Sequence, residues 1–284
     1  MTVIGPERPQ LIGLAYRLLG SLGDAEDVVQ EAYGRWYALT GPQRDAIESP
    51  AAWLTTVAGR ICLDVLGSAR VRRERYVGEW LPEPVPAGRL ADPADRVTLD
   101  ESVTMAFLVV LDAMTPAERV AFVLHDVFAY PFAEVAAVLD RTPAACRQLA
   151  SSARRRVAAA RVPQPAPGQA DVVRAFKQAW EAKDIRGLVG LLDPEATAVA
   201  DGGGLAGAAL RPVVGGERVA RYAVHLVSRV PALTIEETTV NGQPGLVTRR
   251  DGTVAAVVAL DVVGGVVRRI WAVRNPEKLR RWPG

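Results

Sequence analysis

The stretch AYPFAEVAAVLDRTPAACRQLASSARRRV, residues 129–157, decides how the middle of this chain folds. Its apolar residues recur at helical spacing and predict two short helices, Phe132–Leu139 and Pro143–Val157. Only Asp140-Arg141-Thr142 joins them. Two helices around a three-residue turn, the second rich in arginine, are typical of a helix-turn-helix. We therefore expect this stretch to bind duplex DNA.

The charges of this stretch support the same interpretation. No acidic residue occurs from Arg141 to Ala170, whereas six arginines do. On the second helix the first two turns would reach base edges, and Arg and Gln suit guanine and adenine. The candidates for base contact are Ala144, Arg147, Gln148 and Ser151, and those for phosphate contact are Arg154, Arg155 and Arg156. The alternative is a solvated helix face whose arginines offset the helix dipole.

Towards the N-terminus the chain is predicted to be entirely helical. Residues 9–40 carry apolar residues at helical spacing, interrupted at Gly20 and Gly23, and Asp24 is the expected N-cap of the second helix. That helix has an acidic face formed by Asp24, Glu26, Asp27 and Glu31, together with Gln30. The face either offsets the helix dipole or binds a protein partner that presents basic residues.

A third helix is predicted from Ser49-Pro50 through about Arg75, with the proline in its first turn. It ends in the basic cluster Arg70, Arg72, Arg73 and Arg75, and Trp53 lies near its start. Basic residues combined with aromatic ones suit single-stranded or melted DNA. The cluster taken alone is better explained as dipole compensation at a helix C-terminus.

Two proline-rich segments divide the chain. Residues 80–88, WLPEPVPAG, cannot form a helix or a central strand because prolines lack a backbone donor, and their Trp-Leu pair suggests docking rather than a plain spacer. Residues 97–161 are predicted to be helical, with a capping box at Thr115–Glu118. After PQPAPG, residues 163–168, a helical stretch and valine-rich runs between glycine turns predict an α+β domain with an antiparallel sheet.

Length and composition limit the class of protein. A chain of 284 residues with 49% hydrophobic and 23% charged residues is typical of two or three globular domains. Two cysteines are too few for the disulfide framework of a small secreted protein. The sequence also shows no long apolar run and no signal peptide. We therefore expect a cytoplasmic protein without membrane association. The net charge of +2 conceals a first part, residues 1–162, with 18 arginines against 20 acidic residues.

Catalysis and metal binding are not predicted for residues 1–162. The two histidines of the chain, His125 and His225, lie beside no cysteine or acidic cluster with metal-ligand spacing. Phosphate-binding glycine loops and nucleophile elbows are absent from the sequence. We therefore expect no catalytic residues, no metal and no cofactor.

Taken together, these motifs resemble the extracytoplasmic-function sigma factors of bacterial RNA polymerase. DAEDVVQEAYGRWY, residues 24–37, is similar to region 2 of sigma factors, and SPAAWLTTVAGRICLDVLGSARVRRERY, residues 49–76, to the helix that follows it. Residues 129–157 are similar to region 4. The resemblance implies a transcription initiation factor whose partners are core RNA polymerase, the melted −10 promoter element and the duplex −35 element.

The resemblance also implies roles for individual residues. Core polymerase would bind Asp24, Glu26, Asp27, Gln30 and Glu31. The −10 element would contact Trp53, Arg60, Arg70, Arg72, Arg73 and Arg75. The −35 element would contact Arg141, Thr142, Ala144, Arg147, Gln148, Ser151, Arg154 and Arg155.

The tail resembles that of a SigJ-type subgroup of these sigma factors, which carries a fused SnoaL-like domain of the NTF2-like fold. The motifs that carry this resemblance are Trp80-Leu81-Pro82-Glu83-Pro84, Asp201-Gly202-Gly203-Gly204 and Asn275-Pro276-Glu277-Lys278-Leu279. They imply contacts through which the tail modulates promoter activity. Leu205, Val65 and Gly67 depart from the subgroup's more basic pattern.

The implied domain organisation is a region 2 domain over residues 1–78, a linker over 79–96, and a region 4 domain over 97–162. A second linker follows over 163–170 and an NTF2-like cone with a curved antiparallel sheet over 171–284. Two other functions remain open: a helix-turn-helix regulator that acts without core polymerase, and an NTF2-like cyclase or hydrolase with a helical appendage. Asp201 and His225 could line the pocket of such an enzyme, or bind a small molecule without turnover. The simpler alternative is that Asp201 only stabilises the glycine turn by local hydrogen bonds.

Overall fold

The structure, a computed structural model, describes residues 7–73, 76–88, 103–160 and 168–283. The chain divides into two compact units. Of the described residues, 7–73 and 107–160 form the first unit, and 76–88, 103–106 and 168–283 form the second. The described part of the segment predicted to be a linker, residues 79–88, therefore belongs to the same unit as the tail.

The first unit is helical throughout its described residues, as the sequence predicted. Its helices are α1 (Arg8–Leu19), α2 (Leu22–Ala38), α3 (Gly41–Asp45), α4 (Pro50–Arg73), α5 (Met105–Asp112), α6 (Pro116–Phe122), α7 (Phe132–Leu139) and α8 (Pro143–Ala160). One π-helical turn, Val123–Val127, continues α6. The first two residues of α5 are grouped with the second unit.

Side chains define where these helices begin. Thr115 and Glu118 form the predicted capping box of α6, because each side chain accepts the other residue's backbone N–H. The expected N-cap at Asp24 is wrong, since Ser21 Oγ accepts the Asp24 amide at 3.2 Å and α2 begins at Leu22. Gly23 does not stop the helix, because a glycine costs only about 1 kcal/mol of helix stability. The helix therefore begins before Gly23, and Leu22 in its first turn is buried.

Helices α4 and α7 pack directly on each other within the first unit. Gly59 makes this approach close, because a Cβ atom there would lie 2.8 Å from Val138 Cγ1. The hydroxyls of Thr55 and Tyr130 share a hydrogen bond of 2.9 Å across the same contact. The third helix predicted from the sequence, α4, and the helix-turn-helix therefore pack together in one unit.

The second unit combines helices with one six-stranded sheet, which confirms the predicted α+β fold of the tail. Its elements are α9 (Gln169–Glu181), α10 (Ile185–Leu191), β1 (Leu192–Asp201), β2 (Val213–Val214), α11 (Gly216–Arg229), β3 (Leu233–Val240), β4 (Gln243–Arg250), β5 (Thr253–Val263), β6 (Val266–Val273) and α12 (Pro276–Leu279). The strand order is β2-β1-β6-β5-β4-β3, and the curved sheet is open.

The sheet differs from the expected antiparallel one at a single pairing. Strand β1 runs parallel to β6, with Ala198 opposite Ile270, whereas the other pairings are antiparallel. A parallel pair needs a long crossover connection. Here α11 and four strands separate β1 from β6 in the sequence. The glycine turns recognised in the sequence predict only the antiparallel hairpins.

The middle of β5 is buried on both faces of the sheet. Helices α9 and α11 cover one face, where Phe176 and Val219 join a core with Leu246 and Val258. On β5, consecutive residues from Ala256 to Val262 are buried, which fits a run without polar alternation. No helix among the described residues is long and apolar enough to cross a membrane.

Candidate nucleic-acid interface and linker clasp

The helix-turn-helix has the bounds that the sequence predicted for α7, and its second helix runs three residues beyond Val157. Asp140 ends α7 in the left-handed conformation, with φ 51°. Thr142 Oγ1 accepts the Ala145 amide at 3.2 Å, so Thr142 caps α8. Arg141, Ala144, Arg147 and Gln148 are exposed at the start of α8, and Ser151 is half-buried. One surface thus presents all the residues predicted to contact bases.

The arginines of α8 have different interaction partners. The Arg147 guanidinium lies 5.4 Å from the centre of the Phe132 ring, which stacks on His125. Arg154 is paired with Asp126 at 2.5 Å, whereas Arg155 lies 3.4 Å from the Ser151 hydroxyl. Arg147 is therefore held beside the first turns of α8, and Arg155 is freer than Arg154 to reach a phosphate.

Glu118 anchors α8 to α6. Its Oε1 accepts a hydrogen bond of 2.7 Å from the Ser152 hydroxyl, and Arg156 lies 3.5 Å away. Burial alone would raise the pKa of Glu118, but the hydrogen bonds from Ser152 and Thr115 outweigh burial and lower that pKa. A charged carboxylate is thus part of the support of the recognition helix.

The acidic face of α2 lies on the surface of the first unit. Asp24, Asp27, Gln30 and Glu31 are exposed, and Glu26 is half-buried. Glu31 pairs with Arg35 one turn later at 2.5 Å, and both side chains remain about half exposed. Because such exposed pairs contribute little stability, this face is available to a partner.

The residues predicted to contact the −10 element are only partly described. Trp53 is half-buried and meets the Trp36 ring edge-on, with 5.3 Å between ring centres. Arg60 is exposed, yet its Nη2 donates to the Ala137 carbonyl on α7 at 2.7 Å. The side chains of Arg70, Arg72 and Arg73, and the whole of Arg75, lie outside the described part of the chain.

Asp201, at the end of β1, forms the centre of a second site, and its side chain is fully buried. Oδ1 accepts from the Tyr76 hydroxyl at 2.6 Å and from the Gly203 amide at 3.0 Å. Oδ2 accepts from the Leu81 amide at 2.9 Å and from Lys278 Nζ at 2.7 Å. Burial and the hydrogen bond to Asp201 raise the pKa of Tyr76 above its usual value. Asp201 thus binds the linker segment as well as its own turn.

Lys278, on α12, supplies the positive charge of this site. Besides Asp201 it binds the Leu81 carbonyl at 2.5 Å, and its ammonium group lies 4.1 Å from the centre of the Trp80 ring. A cation on a tryptophan face is favourable when both are partly removed from water. Lys278 therefore fixes the Trp-Leu pair that the sequence suggested for docking.

The glycine run is required by close packing around Asp201. A Cβ atom at Gly202 would lie 2.1 Å from the Ala206 carbonyl oxygen, and one at Gly203 would lie 2.3 Å from Asn275 Nδ2. Gly203 also has φ 61°, a conformation that favours glycine. A Cβ atom at Gly204 would lie 3.1 Å from Val77 Cβ. The turn thus brings the Asn275 and Tyr76 segments against Asp201.

Further residues of the tail bind the linker at residues 83–85. Arg281 pairs with Glu83 at 3.2 Å, Trp282 Nε1 donates to the Pro84 carbonyl at 3.0 Å, and Asn241 Oδ1 accepts the Val85 amide at 3.2 Å. We call Asp201, Asn241, Asn275, Lys278, Arg281 and Trp282 the linker clasp. Pro82 and Leu279 are buried, and Pro276 and Glu277 are exposed.

Sequence reasoning missed four members of this arrangement, namely Tyr76, Asn241, Arg281 and Trp282. Tyr76 and Arg281 lie within five residues of motifs that were recognised. Asn241 has φ 51° at a hairpin turn. Its sequence predicts the turn but not the contact with the linker. Within the described residues, no group of three or more His, Cys, Asp or Glu side chains is placed to hold a metal ion.

Comparison with known proteins identifies the family. Residues 3–75 match the family described as Sigma-70 region 2, and residues 104–157 match that described as Sigma-70, region 4. The chain is 44% identical to the ECF RNA polymerase sigma factor SigJ of Mycobacterium tuberculosis, over 97% of this chain and 92% of that protein. It is 37% identical to the probable ECF RNA polymerase sigma factor SigI of the same species, over 96% and 92%.

A solved structure agrees with this relationship over nearly the same span. The crystal structure of the M. tuberculosis extracytoplasmic-function sigma factor SigJ matches with a TM-score of 0.77 and 40% identity, covering 96% of this chain and 95% of that one. The helix-turn-helix, the acidic helix and the fused α+β tail are thus parts of one known architecture. The chain belongs to the extracytoplasmic-function family of RNA polymerase sigma factors, alternative sigma factors that direct transcription initiation.

Proposed function

We propose that this sigma factor carries its own regulator, and that the linker clasp is the means by which the tail acts. The observation that supports this most directly is the burial of Leu81 and Val85, with Asp201, Lys278 and Asn241 bonded to the same segment. That segment connects the two parts of the chain similar to sigma regions 2 and 4. A tail that holds the connector limits the separations those two parts can adopt on a promoter.

We assign the polymerase and DNA contacts of this cytoplasmic factor residue by residue. The exposed acids of α2 bind a basic surface of core polymerase, and Trp53 with the arginines at the end of α4 contacts the melted −10 strand. Arg147 and Gln148 read bases of the −35 duplex, whereas Arg155 contacts its backbone. Arg60 exchanges the Ala137 carbonyl for DNA when the promoter binds.

The −35 assignment is tested by binding of polymerase holoenzyme to promoter variants at several salt concentrations. The variant Arg155→Ala weakens binding to all sequences alike and reduces the salt slope by about one. The variant Arg147→Ala lowers discrimination at one base pair by about 10- to 100-fold, because a bidentate base contact is lost. Equal discrimination by Arg147→Ala and the unaltered protein would contradict the assignment.

The role of the clasp is tested in run-off transcription with purified core polymerase and the full chain. Removal of the tail is unsuitable, because it would expose the apolar linker residues that the tail covers. The variant Trp80→Ala instead removes the ring beneath Lys278 while leaving Asp201 in place. We expect the transcript yield to change at least about threefold, which corresponds to a coupling free energy of about 0.65 kcal/mol.

The matched control is Arg280→Gln, at the C-cap of the helix that carries Lys278 but with a largely exposed side chain. Its transcript yield stays that of the unaltered protein. Equal yields from Trp80→Ala and Arg280→Gln would overturn the regulatory role, and failure of every form to initiate would overturn the assignment of the polymerase and DNA contacts.

The tail is not an enzyme in this proposal. Both oxygens of Asp201 already accept two hydrogen bonds each, and one is paired with Lys278. A general acid or base must reach a proton of its substrate, and a fully buried carboxylate with four donors does not. His225 is exposed on α11 and therefore does not join Asp201 in one site.

A further inference from the structure

The tail contains a second feature, a cavity of about 300 Å³ on the helix-covered face of its sheet. Its lining is mostly apolar and comes from three helices, α9, α11 and α12, and four strands, β3 to β6. Those that carry the argument are Trp180, Leu226, Thr248, Ala256, Arg250 and Arg274. Specific small-molecule sites in proteins combine such an apolar wall with a few polar groups that fix orientation.

Arg274 is the polar group that distinguishes this cavity. It follows β6, and its Nη1 donates to the Gly207 carbonyl. Among the described residues no carboxylate lies within ion-pair distance of it. Arg250, the other arginine of the lining, is exposed and lies 3.5 Å from Asp251. Arg274 therefore brings an uncompensated positive charge to an apolar wall, which favours an anionic ligand group.

Thr248 supplies a second polar group. The residue is only 3% exposed and lines the same cavity. A threonine hydroxyl can both donate and accept a hydrogen bond, so at this position it suits an oxygen-bearing ligand.

We propose that this cavity binds a small amphipathic carboxylic acid, with the carboxylate at Arg274 and the apolar part against Trp180 and Leu226. Its volume is about twice that of a cavity that holds benzene, roughly 150 Å³. At the packing densities of liquids and proteins, roughly 0.5–0.75, the ligand occupies roughly 150–225 Å³. A chain of about eight to ten carbons has this size.

The same cavity adjoins the linker clasp. The backbone N–H groups of Arg274 and Asn275 both donate to the Asp201 carbonyl, at 2.7 and 2.9 Å. Ala206, from the turn after Asp201, and Pro276, the first residue of α12, also line the cavity. A carboxylate that draws Arg274 from Gly207 therefore acts on the segments that carry Asp201 and Lys278. This coupling, though not the binding, rests on the regulatory role proposed above.

Binding is tested by calorimetric titration of the full chain with decanoate, hexanoate and decan-1-ol. Affinity rises about fourfold for each added CH₂ between hexanoate and decanoate, because each is buried. Arg274→Gln weakens decanoate binding about 10- to 100-fold and leaves decan-1-ol binding unchanged. Ala256→Phe fills the cavity and abolishes binding of all three probes, and Arg229→Gln, whose side chain does not line the cavity, is the matched control.

Three results would overturn the site. The first is that the unaltered protein does not bind decanoate. The second is that Ala256→Phe binds the probes as tightly as the unaltered protein does. The third is that Arg274→Gln loses binding of decan-1-ol as well as of decanoate. Sensitivity of decanoate to Arg250→Gln but not Arg274→Gln would contradict the placement of the carboxylate.

The coupling has its own measurement, hydrogen exchange at the Leu81 amide, which Asp201 holds. Decanoate changes the exchange rate of this amide at least about fivefold, and the change is lost in Ala256→Phe. Decanoate that binds without altering exchange would overturn the coupling alone. An exchange effect without any effect on transcription would place the failure in the proposed regulatory role instead.

Discussion

Asp201 Oδ2 lies 2.7 Å from Lys278 Nζ, and the Asp201 side chain is fully buried while that of Lys278 is 12% exposed. Removing one partner of a buried ion pair leaves an uncompensated charge, which costs far more than loss of a surface pair. The same two groups hold the Leu81 amide and carbonyl. The ion pair that stabilises the tail therefore also holds the linker in place.

The variant Lys278→Met tests this relationship. We expect the free energy of unfolding of the second unit to fall by about 3–5 kcal/mol, because Asp201 stays buried without its cation. Urea denaturation measures the loss. Arg280→Met, at the exposed C-cap of the same helix, is the control and changes stability by less than about 0.5 kcal/mol. Equal stability of the two variants would show that the pair is not needed.

A second prediction concerns the glycine turn. Gly203→Ala places a Cβ atom 2.3 Å from Asn275 Nδ2 at a residue with positive φ. We expect a loss of at least about 2 kcal/mol in the unfolding free energy, from backbone strain and displacement of Asn275. Gly207→Ala is the control, since nothing lies within 4 Å of a Cβ atom there. Thermal denaturation of both variants measures the difference. A Gly203→Ala protein as stable as the control would contradict the close packing of Gly203 against Asn275.

A third prediction concerns the pH dependence of the first unit. The pKa of Glu118 is lowered by folding, so its charged form stabilises the fold above the unfolded pKa of about 4.3. This contribution is lost as the pH falls through the folded-state pKa. Glu118→Gln therefore lowers the unfolding free energy by about 1–2 kcal/mol at pH 7, and the difference shrinks as the pH falls below about 4.3 and through the folded-state pKa. Denaturation at a series of pH values measures it, and a difference independent of pH would refute the charge effect.

A fourth prediction concerns Asp261, which lines a small cavity with Gln169, Thr104 and Trp271. Burial raises the pKa of Asp261 despite Arg269, whose Nε is 4.0 Å from Oδ2. Within the described structure, Oδ2 has no hydrogen-bond partner. A raised pKa means that the stabilising contribution is present below about pH 3.9 and is lost as the pH rises through the folded-state value.

The variant Asp261→Asn is therefore expected to be about 1 kcal/mol more stable than the unaltered protein at pH 7, and equally stable near pH 3. Thermal denaturation at both pH values measures the difference. The control is Asp251→Asn, which alters an exposed aspartate. A less stable Asp261→Asn protein at pH 7 would mean that attraction to Arg269 outweighs burial.

The sequence by itself determined the features that depend on neighbouring residues. Helical spacing and the turn at Asp140 placed the helix-turn-helix, and Thr115 with Glu118 marked the start of α6. Glycine turns likewise located the hairpins of the tail. These features depend on contacts only a few residues apart, so periodicity and turn chemistry report them directly.

Only the tertiary structure decided which distant segments meet. It assigned residues 76–88 to the tail, paired β1 with β6 in parallel, and gave the Arg60 guanidinium a carbonyl partner on α7. Tyr76 and Asn275 are 199 residues apart, and Leu81 and Asp201 are 120 apart. No local pattern encodes such a pairing, because it depends on burial of a charge and on a glycine turn that lets two backbones approach.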